Sequence, residues 1–213
     1  MKLKAVLFDL DGVLIDTEGV YTDFWSEMNR LHPTGVDNFA QTIKGSTLTK
    51  ILSTYFPDPA ARADVASRLK RLESEMHYRA FPGVYELLTV LREKGIRAAI
   101  VTSSNRIKMR HLFEEEPRLE TLTDALVTDE DVTASKPDPQ PYIIGARKLG
   151  VVPGECVVVE DSVSGLESGR RAGALVLGVA TTNPRPVVEK LADITVNAIE
   201  EVDVDKLMSR FEE

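Results

Sequence analysis

Cysteine is almost missing from this chain. Cys156 is the single one among 213 residues, so no disulfide framework can hold the fold. It sits in the apolar run Cys156-Val157-Val158-Val159, where a buried thiol acting as a small hydrophobe is expected rather than a nucleophile or metal ligand. Concentrated positive charge is missing too. The formal net charge is −8 and the basic residues are scattered, which argues against nucleic acid or an anionic membrane as the main partner. Nor is there a long apolar run: the stretch after Met1-Lys2-Leu3-Lys4 ends at Asp9, too short for a membrane span or a signal peptide. A cytoplasmic location is therefore expected. No internal repeat and no low-complexity segment stands out. What is present, 43% hydrophobic residues, suffices for one large domain or a core with a modest insert.

The apolar residues fall into short runs that end at polar ones: Ala5–Phe8, Ala98–Val101, Ala125–Val127, Val157–Val159 and Leu175–Val179. Such runs predict parallel strands buried on both faces. Amphipathic helices lie between them. Val84, Leu87, Leu88 and Leu91 follow the i, i+3, i+4, i+7 rule, with Gly95 as the stop. Asp138-Pro139 starts another helix that runs towards Gly150. The alternation predicts an α/β fold with a doubly wound parallel sheet. Residues 17–80 break it, carrying only helical patterns such as Val20, Phe24, Met28 and Leu31, or Val65, Leu69, Leu72 and Met76. They predict an inserted α-helical domain between residues 1–16 and 81–213 of the core.

Chemistry-bearing residues recur where those strands end, which is where open α/β sheets place their sites. "VLFDLDGVLIDTE" drives a buried run into Asp9 and Asp11, which share a face if the chain stays extended, and Gly12 lets the chain turn. The spacing does not fit a calcium loop, whose third ligand and glycine positions fall on Val13 and Leu14. The second run enters Thr102-Ser103-Ser104-Asn105, hydroxyls and backbone N–H groups suited to a phosphate. Lys136 precedes a proline-stiffened helix start, and the fourth run ends in Glu160-Asp161-Ser162. Taken singly, each has an ordinary reading as a turn, a helix cap or a solvated lysine. Together, Asp9, Asp11, Glu160 and Asp161 would crowd negative charge into one crevice that needs a cation. An all-oxygen set without neighbouring His or Cys favours Mg²⁺ over zinc.

"FDLDGVLIDTE", "VTSSN", "SKPDPQPY" and "VVVEDSVSGLESGRRAG", in this order, resemble the four motifs of the haloacid dehalogenase superfamily. The helical insert resembles the cap of its β-phosphoglucomutase-like branch. The resemblance covers essentially the whole chain and implies a Mg²⁺-dependent phosphotransferase on a Rossmann-like core, acting on a small phosphorylated metabolite. It implies Asp9 as the nucleophile and Asp11 as the acid that protonates the leaving oxygen and then takes a proton from water. Thr102 by its hydroxyl, Ser103 by its backbone N–H, and Lys136 would hold the phosphoryl oxygens. Asp9, the carbonyl of Asp11, and Asp161 would bind Mg²⁺, with Glu160 in or just outside its ligand sphere.

In the mutase branch a histidine lies twelve residues beyond the nucleophile and an arginine three beyond the cap-loop glycine. Here Tyr21 and Leu48 stand at those places, so a phosphatase is expected, with a mutase as the alternative. From the cap, Tyr21, Lys44, Gly45 and Thr47 are expected near the substrate, with His77, Arg79 and Trp25 as further residues that could face it. The cap is expected to swing on residues 16–18 and 79–82. A phospho-switch of the receiver type is opposed by the D-x-D spacing and the insert. A scaffold that has lost its chemistry is opposed by the intact set Asp9, Asp11, Lys136 and Asp161.

Overall fold

The computed structural model describes residues 2–212. Six strands, β1 (Ala5–Phe8), β2 (Arg97–Val101), β3 (Ala125–Val127), β4 (Cys156–Glu160), β5 (Leu175–Val179) and β6 (Ile194–Val196), form one sheet. It runs in the order β3-β2-β1-β4-β5-β6 with every pair parallel. The chain order reverses at β1, whose neighbours are β2 and β4, and a crevice opens beyond the carboxyl ends there. Five strands lie where the apolar runs predict them. The sixth is a three-residue edge strand with two half-buried residues, too short and too little buried to leave a clear run.

Both faces of the sheet are covered, which explains why the central strands are apolar throughout. Val6 and Phe8 of β1 pack into one cluster, and Ala5 and Leu7 into the other. The first face carries α5 (Val84–Glu93), α6 (Arg106–Glu115), α7 (Pro117–Leu122) and α11 (Val204–Ser209), through residues such as Leu88, Met109, Leu119 and Leu207. The second carries α8 (Gln140–Lys148), α9 (Val163–Ala172) and α10 (Arg185–Val188), through Tyr142, Leu166 and Val188. Cys156 is fully buried on that second face, and burial pushes its thiol up to about 12.

Between β1 and α5 lie α1 (Glu18–Leu31), α2 (Phe39–Thr42), α3 (Leu48–Tyr55) and α4 (Pro59–Glu75). They enclose an apolar cluster of their own, which includes Phe24, Trp25, Met28, Phe39, Phe56 and Val65. Trp25 meets Phe24 and Phe39 edge to face, with ring centroids 5.0 and 6.1 Å apart. The outgoing and returning chains lie side by side: Ile15 bridges Ala80 in antiparallel fashion. The Asp16 N–H donates to the Arg79 carbonyl and the Phe81 N–H to that of Leu14, each at 3.0 Å.

Candidate active site

The strand that delivers Asp9 stops at Phe8, but the Asp9 N–H still donates to the Val159 carbonyl at 2.9 Å. The chain then coils rather than continuing extended, with Leu14 and Ile15 both donating to the Leu10 carbonyl. Gly12 makes the coil possible. Its φ is +82°, and a Cβ there would stand 2.2 Å from Oδ2 of Asp161, so a side chain would be both strained and obstructed. The turn still leaves Asp9 and Asp11 lining one cavity, together with Thr102, Ser103 and Asp161.

Lys136 organises the base of this cavity. It is 1% exposed, and its Nζ donates to Asp9 Oδ1 and Glu160 Oε1 at 2.6 Å each and to the Val101 carbonyl at 3.2 Å. Burial disfavours its charge, yet Asp9 and Glu160 together hold its pKa above the ordinary lysine value. Glu160 has no spare capacity. Its Oε1 also accepts from the Tyr142 hydroxyl at 2.8 Å, and its Oε2 accepts from the N–H groups of Asp161 and Ser162 and the Ser162 hydroxyl, each at 3.0 Å. Burial opposes ionisation of Glu160 too, but Lys136 and these donors keep its pKa below the ordinary range.

Asp161 is the opposite case. It is buried, and neither carboxylate oxygen has a hydrogen-bond partner. Burial first, then Glu160 and Asp9, push it well above the usual carboxylate range. Asp9 is pushed up to about 7, chiefly by burial, with Lys136 acting against the rise. Asp9, Glu160 and Asp161 can bring oxygens within 4.8 Å of one another. Three carboxylates against the single Lys136 ammonium leave an excess of two negative charges, which one divalent cation cancels. The orphaned oxygens of Asp161 and the all-oxygen donor set fit such an ion.

A carboxyl whose folded pKa is raised keeps a proton that the unfolded chain has already released, so stability falls as pH rises from the unfolded value through the folded one. EDTA-treated protein should therefore melt lower at about pH 8 than at about pH 5.5 through this site, and Asp161→Asn should raise its midpoint. Mg²⁺ at a hundred times its Kd should stabilise wild type by about 2.7 kcal/mol, roughly 5–10 °C for a chain of this size, and should do little for Asp161→Asn. Differential scanning calorimetry checks all three.

Asp11 is held separately. Lys108, also 1% exposed, places Nζ 2.6 Å from its Oδ1 and 2.7 Å from its Oδ2. Thr17 donates to Oδ1, and the Ser104 hydroxyl to Oδ2 at 3.2 Å. Thr102 lines the cavity with its Oγ1 accepting from the Ser104 N–H at 3.0 Å, while the Ser103 hydroxyl donates to the Gly45 carbonyl at 2.8 Å.

Residues of the helical insert close the cavity, whose volume is about 120 Å³. The turn at Gly45, φ +78°, is pinned to the sheet side: Ser103 reaches the Gly45 carbonyl, and the Ser164 hydroxyl donates to that of Lys44 at 2.6 Å. A Cβ on Gly45 would stand 2.2 Å from Ser164 Oγ. Lys44 lines the cavity but spends its ammonium on Glu18. Tyr21 lines it too, with its hydroxyl donating to Glu73 Oε1 at 3.0 Å. Trp25 packs inside the insert and also lines the cavity.

Thr47, expected near the substrate, and His77 and Arg79, which could have faced it, lie elsewhere. Thr47 does not line the cavity; it caps α3, its Oγ1 accepting from the Lys50 N–H at 3.4 Å. His77 is 93% exposed at its side chain and pairs with Glu115 at 2.8 Å, and Arg79 lines a separate groove beside α5. Conversely, Lys108, Glu18 and Glu73 surround the acids without having been expected. For Lys108 a signal exists: it adjoins Met109 and stands four residues before Leu112, both buried, on the inward face of α6.

The match to a family model covers residues 3–173, and that model describes haloacid dehalogenase-like hydrolases. Hexitol phosphatase A of Escherichia coli is 34% identical over 97% of this chain and 96% of its own. The phosphorylated carbohydrates phosphatase of Thermotoga maritima is 32% identical over 80% of this chain and 82% of its own. A crystal structure of a family IA, variant 3 hydrolase from Entamoeba histolytica superposes with a TM-score of 0.82 at 23% identity, over 99% of this chain and 100% of that one. On the family match and the shared length and sequence of these relatives, the chain belongs to the haloacid dehalogenase-like hydrolases.

Proposed function

We propose that the protein is a Mg²⁺-dependent phosphatase that hydrolyses a small phosphorylated sugar or sugar alcohol through an aspartyl-phosphate on Asp9. The observation that carries this reading is the position of Asp9, which lines the cavity while its Oδ1 is fixed by Lys136 at 2.6 Å. Its other oxygen, Oδ2, is then the nucleophile that bonds to phosphorus as the ester bond breaks. Asp11 gives the departing oxygen its proton. A water molecule next attacks the same phosphorus, Asp11 takes that water's proton, and the Asp9–phosphorus bond breaks to free phosphate. Splitting the transfer divides one barrier into two lower ones, in a reaction whose catalysed enhancement reaches about 10²¹.

Lys136 offsets repulsion between the anionic nucleophile and the anionic ester. The Thr102 hydroxyl and the N–H of Ser103 receive phosphoryl oxygens. Asp9, Asp161 and the backbone carbonyl of Asp11 would hold the Mg²⁺, which supplies positive charge to the phosphoryl oxygens. Glu160, with both oxygens already occupied by donors, acts outside that ligand set by fixing Lys136.

Residues 17–80 serve as a cap on a core of residues 1–16 and 81–213, and the paired segments around Asp16 and Arg79 are its hinge. In the cavity the cap offers Glu18, Tyr21 and Glu73 to hydroxyl groups and Trp25, Leu48 and Ile51 to carbon, a mixture suited to a polyol. The carbohydrate phosphatases among the relatives support that substrate class. No helix among the described residues is long and apolar enough to cross a membrane. The test is a panel of phosphorylated hexitols and hexoses with and without Mg²⁺. Release of free phosphate from a hexitol or hexose ester is expected. Interconversion of hexose 1- and 6-phosphates stimulated by a bisphosphate would replace the reading with a mutase, and no turnover of any ester would remove it.

A further inference from the structure

Lys108 is a fully buried cation to which the proposed reaction gives no role. Its ammonium donates to both oxygens of Asp11 at 2.6 and 2.7 Å and to Ser104 Oγ at 3.0 Å, and its side chain is out of contact with solvent. The fourth side is closed by the Tyr21 ring, whose centroid lies 4.7 Å from Nζ. Lys108 comes from α6 and Ser104 from the loop that opens it, whereas Tyr21 comes from α1 and Thr17, the other donor to Asp11, immediately precedes α1. Asp11 itself lies in the turn beyond β1, bridged to Ile15.

We propose that Lys108 is a positioning residue for the leaving-group step, fixing the Asp11 carboxyl group from behind so that the proton it carries in that step meets the departing oxygen once α1 has closed over it. Three features make this more than a structural ion pair. The ammonium contacts both carboxylate oxygens, which removes rotation about the terminal bond. It lies behind Asp11 rather than lining the cavity, so it holds the carboxylate without competing for substrate. It also packs on an aromatic ring carried by the cap, so displacement of α1 takes away one wall of its site and couples the aim of Asp11 to closure. A proton donor that is misplaced by a fraction of an ångström loses much of its advantage.

The inference rests on the phosphatase reading, and the experiment separates the two. The specificity constant kcat/KM reports steps up to departure of the leaving group, and an alkoxide needs the proton that p-nitrophenolate does not. Lys108→Met should lower kcat/KM for glucitol 6-phosphate by about 100-fold, within the range general acid catalysis supplies, and that for p-nitrophenyl phosphate by less than about threefold. Lys108→Gln provides the same comparison if the methionine variant fails to fold. Equal losses on the two esters would mark a merely structural lysine and overturn the inference, as would no loss on either. A wild-type protein inactive on both esters would instead remove the phosphatase reading, and this inference with it.

Discussion

Asp9→Asn should lower phosphate release by at least about 10³-fold while leaving the fold intact. The substitution keeps the shape of the side chain and its ability to accept from Lys136, but an amide oxygen is a far poorer nucleophile than a carboxylate. Lys136 retains Glu160 and the Val101 carbonyl as partners, so no charge is stranded. Burial already pushes the Asp9 carboxyl up to about 7, which means the ionised form is held at a cost in the metal-free protein. The thermal midpoint of Asp9→Asn in EDTA should therefore equal or exceed that of wild type at neutral pH. Phosphate release and a thermal melt on the same preparation check both halves, and substantial residual turnover would reject Asp9 as the nucleophile.

Lys136→Met should be damaging in a different way. It removes the ammonium shared by Asp9 and Glu160 and leaves three carboxylates facing one another away from water. Breaking a buried pair by deleting one partner costs about 3–5 kcal/mol, roughly 10 °C in midpoint for a chain of this length. Activity should fall with stability, since the phosphoryl group loses its fixed cation. Mg²⁺ should recover part of the midpoint and little of the turnover. If the variant melts like wild type in EDTA, the charge balance drawn for this crevice is wrong. The contrast with Asp9→Asn, inactive but stable, is what separates a nucleophile from the cation that makes its burial tolerable.

The sheet was legible because β1, β2, β4 and β5 are buried on both faces and so read as unbroken apolar runs. The candidate site was legible for a related reason: Asp9, Thr102 and Glu160 are the polar residues at which those runs stop, and Asp161 follows directly after Glu160. What the sequence could not show are pairings across long stretches of chain. Lys108 and Asp11 are 97 positions apart, and a lysine on a helix is ordinarily solvated. Glu160 could be placed in the crevice but not on either side of a metal's ligand sphere, because that depends on donors from Lys136 and Tyr142 meeting it. Thr47 differs from expectation because a threonine before a helix serves equally as a cap or a ligand, and only the packing of α3 chooses between them. The coil after Phe8 differs from an extended D-x-D segment because Gly12 adopts a positive φ that lets Asp161 approach.

The most direct measurement is rapid acid quenching during steady turnover of a phosphorylated hexitol with Mg²⁺, followed by peptide mass spectrometry. A phosphoryl group on the peptide that contains Asp9, absent when EDTA is added before substrate, is the predicted result. Full turnover with no phosphorylated Asp9 peptide at any quench time, or the label on another residue, would contradict the account.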